Sequence, residues 1–138
     1  MIATLQPYDR IYSATLSGGL DVTGAKIALL ADTYTFDATD TTWASISSHE
    51  IDAGDGYTTG GAAMGGSIAY ADGIATFDAT DATWPNLAAT FAHAVIYDPV
   101  GGGLVACLTF SSGNAITTTG YDFTIQWSAT GIITARNA

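Results

Sequence analysis

The sequence has few basic residues and few charged residues of any kind. Its 138 residues include 3 Lys and Arg and 13 Asp and Glu, a formal net charge of −10. A nucleic-acid-binding protein needs cationic side chains to replace the counterions of the phosphates, so we expect no nucleic-acid partner. Charged residues are 12% of the chain, whereas an average soluble domain has about 25%. Because 48% of the residues are hydrophobic, the composition indicates a folded chain.

Cysteine is nearly absent as well. Cys107 is the single cysteine, which excludes an intrachain disulfide and any metal site with several Cys ligands. Its apolar neighbours Ala106 and Leu108 are typical of a buried, unreactive thiol. The longest apolar stretches, residues 27–31 and 104–108, are too short to cross a bilayer, and residues 1–7 lack the pattern of a secretory signal. We therefore expect no membrane partner and no secretion.

Polar residues that favour helices are also rare, since the chain has one Glu (Glu50) and one Lys (Lys26). Thr, Ser, Asp and Gly take their place and favour strands and turns. Strand-like segments lie between glycine clusters, at residues 11–16, 25–31, 67–70, 74–78, 91–97, 104–110, 121–127 and 132–134. Residues 91–97 and 104–110 are apolar on both faces, which predicts central, covered strands. The pattern predicts an all-β fold, an antiparallel β-sandwich of immunoglobulin-like or jelly-roll type.

Two features define the expected organisation. The Asp72-Gly73 pair between two strand-like segments predicts a hairpin with a type I′ turn. Residues 25–138 are predicted to form a single β-sandwich domain. Residues 1–24, which contain Pro7 and Gly18-Gly19, have two interpretations: an N-terminal arm that packs on a neighbouring subunit, or an ordinary first edge strand.

The sequence contains one internal repeat. FDATDTTW at residues 36–43 recurs as FDATDATW at residues 77–84. Paired carboxylates suggest a Ca²⁺ site, but each copy offers few oxygens and lacks the closing bidentate Glu of a calcium loop. The favoured interpretation is local: Asp and Thr cap a turn that leaves a strand, and the Trp anchors that turn in the core. We expect no metal ligand and no stabilisation by calcium.

Groups that could carry out catalysis are sparse. His49 stands next to Glu50, and His93 lies in an apolar strand, where a core or interface role is favoured. Neither histidine is in a nucleophile elbow or a His-x-x-x-His pair, and no phosphate-binding loop is present. The sequence therefore predicts no catalytic residue, no cofactor-binding residue and no cofactor. An enzyme would require His49, Glu50 and a hydroxyl to meet in one pocket.

The aromatic residues raise a further possibility. Trp43, Trp84, Trp127 and Tyr57 could form the exposed aromatic platform of a glycan-binding module, although most tryptophans of β-sandwiches anchor the core. Burial of all three tryptophans would remove this interpretation, and two exposed coplanar rings would favour it.

Several strings between residues 25 and 135 carry a resemblance to a known group of proteins. They are KIALL at 26–30, TYT at 33–35, EI at 50–51, GYTTGGA at 56–62, FDATD at 77–81, TW at 83–84, AVIY at 94–97, FTIQW at 123–127 and GI at 131–132. Together they resemble small virion structural proteins of tailed bacteriophages, most closely the head-associated cement or decoration proteins.

The resemblance implies a viral structural protein, not an enzyme, that binds and stabilises the assembled capsid shell. It also implies the major capsid protein as partner, a homotrimer, and a location on the capsid exterior of the virion. The alternatives are a tail- or neck-associated virion protein and a β-sandwich module that binds glycans or a host surface. The contact surface is expected around Phe91, His93 and Val95 or on the terminal strands.

Overall fold

The computed structural model of the protein describes residues 3–11 and 21–136. Short β-strands dominate these residues, together with a four-residue α-helix, α1 (Trp43–Ile46), and the 3₁₀ helices Ser47–His49 and Ser111–Gly113. The strands are β1 (Ala3–Pro7), β2 (Lys26–Leu30), β3 (Ala62–Ala63), β4 (Ser67–Ala71), β5 (Ile74–Asp78), β6 (Ala82–Leu87), β7 (Thr90–Phe91), β8 (His93–Tyr97), β9 (Leu104–Phe110), β10 (Ile116–Thr117), β11 (Tyr121–Ile125) and β12 (Ile133–Arg136). In the described part of the chain, no helix has the length and apolarity of a membrane-spanning segment.

The strands pair in several antiparallel sheets, which confirms the predicted all-β, sandwich-like fold. The five-stranded sheet has the order β1-β9-β8-β2-β3. A three-stranded sheet has the order β12-β5-β4, and two-stranded sheets join β10 to β7 and β11 to β6. Every described strand pair is antiparallel.

The five-stranded sheet is covered on both faces, as its apolar strands predict. All residues of β8 are buried, and in β9 only Thr109 is partly exposed. Because successive side chains of a strand point to opposite faces, Leu29 and Ile96 enter the main core, whereas Ala28 and Val95 enter a second apolar cluster. The sheet therefore separates two cores.

Different parts of the chain cover the two faces. On the main-core side, aromatic rings from the smaller sheets pack together: Phe91 contacts Phe123 with ring centroids 5.1 Å apart, and Trp84 is 4% exposed. On the other side, the segment after β2 supplies Tyr34 and Ile46 to the second cluster. This segment includes α1, so the helix serves as part of a cover for the central sheet.

The N-terminal residues that the structure describes belong to the chain's own sheet. β1 pairs with β9 from Ala3 opposite Phe110 to Pro7 opposite Ala106, and lies at the sheet edge. Pro7 is compatible with this place because an edge strand can spare one backbone donor. Most of the strand predicted at residues 11–16, and the Gly18-Gly19 turn, lie outside the described residues.

The β4–β5 hairpin has the turn that its sequence predicts. Ala71 lies opposite Ile74, so Asp72 and Gly73 form a two-residue loop. Their φ angles are 54° and 76°, and positive φ at both positions defines a type I′ turn. The tight turn holds β4 in register with β5 along its whole length.

Candidate functional site

His49 and Glu50, the adjacent pair with catalytic potential, are bonded to different groups. His49 Nδ1 lies 2.9 Å from Oγ1 of Thr33. Glu50 Oε1 accepts hydrogen bonds from the Tyr57 hydroxyl at 2.7 Å and from the backbone N–H of Gly60 at 2.6 Å. The two side chains share no hydrogen-bond partner in these contacts, so they do not form an acid–base pair on one hydroxyl.

Tyr57 is a functional contact of Glu50 that the sequence pattern did not identify. Its hydroxyl also accepts the backbone N–H of Leu29 at 3.1 Å. Burial raises the pKa of Tyr57, and the hydrogen bond that it donates to Glu50 raises it further. The phenol therefore remains protonated and holds the 50–60 segment against β2. Only the spacing of seven residues from Glu50 could have suggested this pair.

A chain of two phenols and one carboxylate begins within the second core, which contains both tyrosines. The Tyr8 and Tyr34 hydroxyl oxygens are 2.9 Å apart, and Tyr34 donates to Oδ2 of Asp40 at 2.9 Å. Since the proton of Tyr34 points to Asp40, Tyr8 donates to Tyr34. Burial raises the pKa of both phenols, which makes the chain a structural network of neutral donors ending on a carboxylate.

His93 and Cys107 are neighbours within this second core. His93 Nδ1 lies 3.1 Å from Oγ1 of Thr109 and 3.9 Å from Sγ of Cys107. Burial lowers the pKa of His93 and raises the pKa of Cys107 to about 12. Both groups are therefore neutral near pH 7, whereas a catalytic Cys–His pair relies on a thiolate. The predictions of a core histidine and a buried, unreactive thiol are confirmed.

The first copy of the sequence repeat is a turn closed by its own side chains. Oδ1 of Asp37 accepts the backbone N–H of Thr39 at 2.9 Å and its hydroxyl at 2.7 Å. These bonds, the hydroxyl first, hold the pKa of Asp37 below its ordinary value. Trp43 stacks on Tyr97, with ring centroids 4.3 Å apart and an angle of 10° between the planes. The Asp therefore caps a turn and Trp43 packs against the second cluster, as predicted, but the turn does not leave a strand, because β2 ends at Leu30.

The second copy has a different structure. Asp78 ends β5, and Oδ1 of Asp81 accepts the backbone N–H of Trp127 at 3.0 Å. Trp84 lies within β6, not in a helix as Trp43 does. The repeat in sequence is thus not a repeat in structure. Among residues 3–11 and 21–136, no group of three or more His, Cys, Asp or Glu is placed to hold a metal ion.

The three tryptophans are neither all buried, which would remove the glycan interpretation, nor do two of them form exposed coplanar rings, which would favour it. Trp84 is buried, whereas Trp43 and Trp127 are half-buried. One face of Trp43 is occupied by Tyr97, and Nε1 of Trp127 donates to the Thr80 carbonyl at 3.1 Å. All three rings are therefore engaged with their own chain.

A groove opens beside the edge strand β1, with a volume of about 470 Å³. Its lining contains no acid, base or thiol: Ala3, Leu5, Leu108, Phe110, Phe123, Thr124, Ile125, Gln126, Trp127, Ser128, Gly131 and Ile132. Such a lining can hold an apolar group but offers no group for proton transfer.

The outer surface carries large apolar side chains that a soluble domain ordinarily buries. Ile68 and Tyr70 on β4 are 55% and 76% exposed, and Val100 and Tyr121 are 93% and 54% exposed. By contrast, the contact surface predicted around Phe91, His93 and Val95 is wrong, because these side chains lie inside the fold, with exposures of 0%, 4% and 0%. Their apolar pattern reflects a doubly covered sheet, not an interface. The alternative location on the terminal strands stays a prediction.

The candidate site is therefore the exposed apolar part of β4, where Ile68 and Tyr70 lie on one face of the strand. Comparison of the chain with family models, with curated proteins and with solved structures found no match.

Proposed function

We propose that this chain is a structural protein of a tailed-phage virion, a cement or decoration protein that binds the major capsid protein on the outside of the assembled shell. The observation that carries the proposal is the pair of exposed apolar side chains on β4, Ile68 and Tyr70. A protein that works through such a surface binds other chains and needs no reacting group. The resemblance of residues 25–135 to small phage virion proteins supports the same role.

The chemistry of the described interior is in keeping with this role. The titratable groups with strongly raised pKa are Tyr8, Tyr34, Tyr57 and Cys107, and burial is the largest cause for each. Each is held in the neutral form, which suits a packed scaffold better than acid–base catalysis. The net charge of −10 keeps free copies soluble before they assemble.

The mechanism of such a protein is thermodynamic. A protein that binds the assembled shell but not its separated subunits adds its free energy of binding to the stability of the shell. The trimer implied by the resemblance would place three such contacts around one axis, and each added contact multiplies the residence time on the particle.

Co-sedimentation tests this proposal directly. Capsids of the parent phage that lack the protein are mixed with the purified chain and pelleted, and the melting of the capsids is then followed by light scattering. We expect saturable binding to the shell and a higher melting temperature of the loaded capsids. A chain that stays in the supernatant and is absent from the walls of imaged virions would overturn the proposal.

The same images separate the second candidates. Density at the tail or neck would identify a tail-associated virion protein. A glycan- or host-binding module would instead use the exposed rings of Tyr70 and Tyr121, and would bind an oligosaccharide array in the absence of capsids. The substitution Tyr121→Ala, outside β4, would then weaken array binding and leave capsid binding unchanged.

A further inference from the structure

Among residues 3–11 and 21–136, no strand pairs with the outer edge of the β4–β5 hairpin. β4 is the last strand of the three-stranded sheet and pairs with β5 on one side. All five of its residues are exposed, and Ser67–Ala71 contains no charged residue. Natural edge strands are ordinarily protected by Lys, Pro or a bulge. β4 has none of these, because its sequence is SIAYA and its register with β5 is unbroken.

The face of the three-stranded sheet that carries buried Phe77 on β5 continues onto β4, where its side chains are exposed. Side chains directly opposite each other in an antiparallel pair lie on the same face, so Ile68 shares a face with Phe77, and Tyr70 shares it with Ala75. Phe77 is 6% exposed, whereas Ile68 and Tyr70 are 55% and 76% exposed. The chain therefore covers this apolar face at β5 and leaves it uncovered at β4.

The hairpin register also determines which backbone groups face outward. The residues that flank a two-residue turn form a hydrogen-bonded pair, and hydrogen-bonded and non-hydrogen-bonded pairs then alternate along the ladder. Ala71 and Ile74 flank the turn, so Ser67, Ala69 and Ala71 bond toward β5. The N–H and C=O groups of Ile68 and Tyr70 consequently point to the open edge.

We propose that β4 is a self-association strand, through which two copies of this chain pair antiparallel about a two-fold axis at Ala69. In this register Ile68 of each copy lies opposite Tyr70 of the other, and Ala69 lies opposite Ala69. The outward backbone groups of Ile68 and Tyr70 then form hydrogen-bonded pairs, in agreement with the alternation that the hairpin sets. The two three-stranded sheets become one six-stranded sheet with a continuous apolar face.

The absence of charge on β4 permits a second copy to approach it. The chain has a net charge of −10, so most surfaces repel the same surface of another copy. Ser67–Ala71 is free of charge, and in the proposed register Asp72 lies opposite Gly66, so no like charges face each other. About an axis at Ala69, Ser67–Ala71 of one copy pairs with the same five residues of the other copy. One patch then serves both subunits, as a two-fold interface requires.

The inference goes beyond the proposed capsid role and does not depend on it. A two-fold contact at β4 would use Ile68 and Tyr70, the same side chains that carry the proposed capsid contact, but the two ideas are tested by different measurements. The two ideas therefore fail separately: capsid binding is read by sedimentation with shells, whereas β4 pairing is read in the purified protein alone.

Cross-linking of a cysteine at the two-fold axis tests the register. Residues opposite each other in a non-hydrogen-bonded pair have Cα atoms about 4.5 Å apart, within reach of a disulfide. Ala69→Cys is therefore expected to form a covalent dimer under mild oxidation. Ala71→Cys is the matched control, because its two copies would lie four residues apart along the strand, about 13 Å. The natural Cys107 is buried and does not compete.

We expect at least about tenfold more disulfide-linked dimer from Ala69→Cys than from Ala71→Cys, since Cα atoms more than 7 Å apart are not bridged. Equal cross-linking of the two variants would contradict the register. If neither variant forms a covalent dimer at concentrations where the wild-type protein has the mass of two chains, the contact lies elsewhere and the proposal is overturned.

Sedimentation equilibrium supplies the second measurement. The wild-type protein is expected to reach twice the mass of the 14.1 kDa chain at micromolar concentration. Tyr70→Lys should raise the dissociation constant at least about tenfold, because a charge on an edge strand opposes pairing. Val100→Lys changes a residue that is 93% exposed outside β4 and should have no effect. A wild-type protein of single-chain mass, or of trimer mass unaffected by Tyr70→Lys, would overturn the proposal.

Discussion

The hydroxyl of Tyr57 lies between the backbone N–H of Leu29 and the carboxylate of Glu50, 3.1 Å from the nitrogen and 2.7 Å from Oε1. Leu29 belongs to β2, and its carbonyl accepts the N–H of Ile51 at 3.1 Å. β3 pairs with β2 only at Lys26 and Ile27. Beyond it, the backbone N–H and C=O of Leu29 bond to a side chain and to a loop in place of a further strand. This contact ties the 50–60 segment to the central sheet.

The substitution Tyr57→Phe removes this contact with little change in volume. We expect it to lower the free energy of unfolding by about 1–3 kcal/mol, because the buried N–H of Leu29 loses its acceptor. Tyr121→Phe removes a hydroxyl from a residue that is 54% exposed and should change stability by less than about 0.5 kcal/mol. Urea unfolding of the two variants makes the comparison, and equal stabilities would show that the Tyr57 hydroxyl is not a structural contact.

A second pair of variants separates backbone strain from steric conflict. Gly61 and Gly102 have similar φ angles, 82° and 78°. A Cβ atom at Gly61 would collide with the backbone carbonyl of Ile27, whereas at Gly102 it would meet nothing within 4 Å. Gly102→Ala should cost about 1–2 kcal/mol for the left-handed conformation. Gly61→Ala should cost a further 1–3 kcal/mol, roughly the penalty of overpacking.

The difference between these two alanine variants is measured by thermal unfolding at one pH. A Gly61→Ala protein as stable as Gly102→Ala would show that β2 shifts freely at Ile27, in conflict with its place in the five-stranded sheet.

The stability of the protein should depend on pH through His93. Burial lowers the pKa of His93 from its ordinary value of 6.5 in the folded chain. Below about pH 6.5 the unfolded chain therefore binds a proton that the folded chain does not, and stability falls as the pH falls. The contribution of one group cannot exceed about 1.4 kcal/mol per pH unit.

This dependence is read from the free energy of unfolding between pH 7.5 and pH 5, in roughly half-unit steps across the range in which histidine titrates. His93→Gln should flatten the curve, while His49→Gln, the same change at the other histidine of the chain, serves as the control. If wild type and His93→Gln have parallel curves, the titrating group lies elsewhere.

Calcium should not stabilise the protein. Oδ1 of Asp37 is occupied by Thr39, and Oδ1 of Asp81 is occupied by the backbone of Trp127. The two copies of the repeat thus use these oxygens within the chain, and neither offers the six or more oxygens that Ca²⁺ takes. Millimolar Ca²⁺ should change the melting temperature by less than about 1 °C. A larger rise that a chelator reverses would reveal a cation site at one of the repeats.

Much of the fold could be predicted from short stretches of sequence. The Asp72-Gly73 turn, the doubly apolar segments that became β8 and β9, and the alternation of Phe123 and Ile125 with polar residues all depend on neighbours along the chain. Local turn chemistry and side-chain periodicity decide such features, because each involves only a few residues.

Other elements were not predictable in this way. β1 contains Pro7, and β6 contains Pro85, and proline weakens any strand prediction. The contact surface expected around Phe91, His93 and Val95 was wrong, since an apolar strand has the same pattern whether another layer of its own chain or a partner covers it. The partners of Glu50 were not apparent either, because its hydrogen bonds form only after the 50–60 segment folds onto β2.

The sequence by itself determined that this chain is an all-β protein, where one of its hairpins turns, and that its cysteine is an unreactive thiol. These properties follow from composition, period and turn residues, which act over short distances. Only the tertiary structure decided which segments of the chain cover the two faces of the five-stranded sheet and that Ile68 and Tyr70 are left exposed beside buried Phe77. Exposure depends on which strand ends a sheet, and that depends on pairing between segments far apart in the chain.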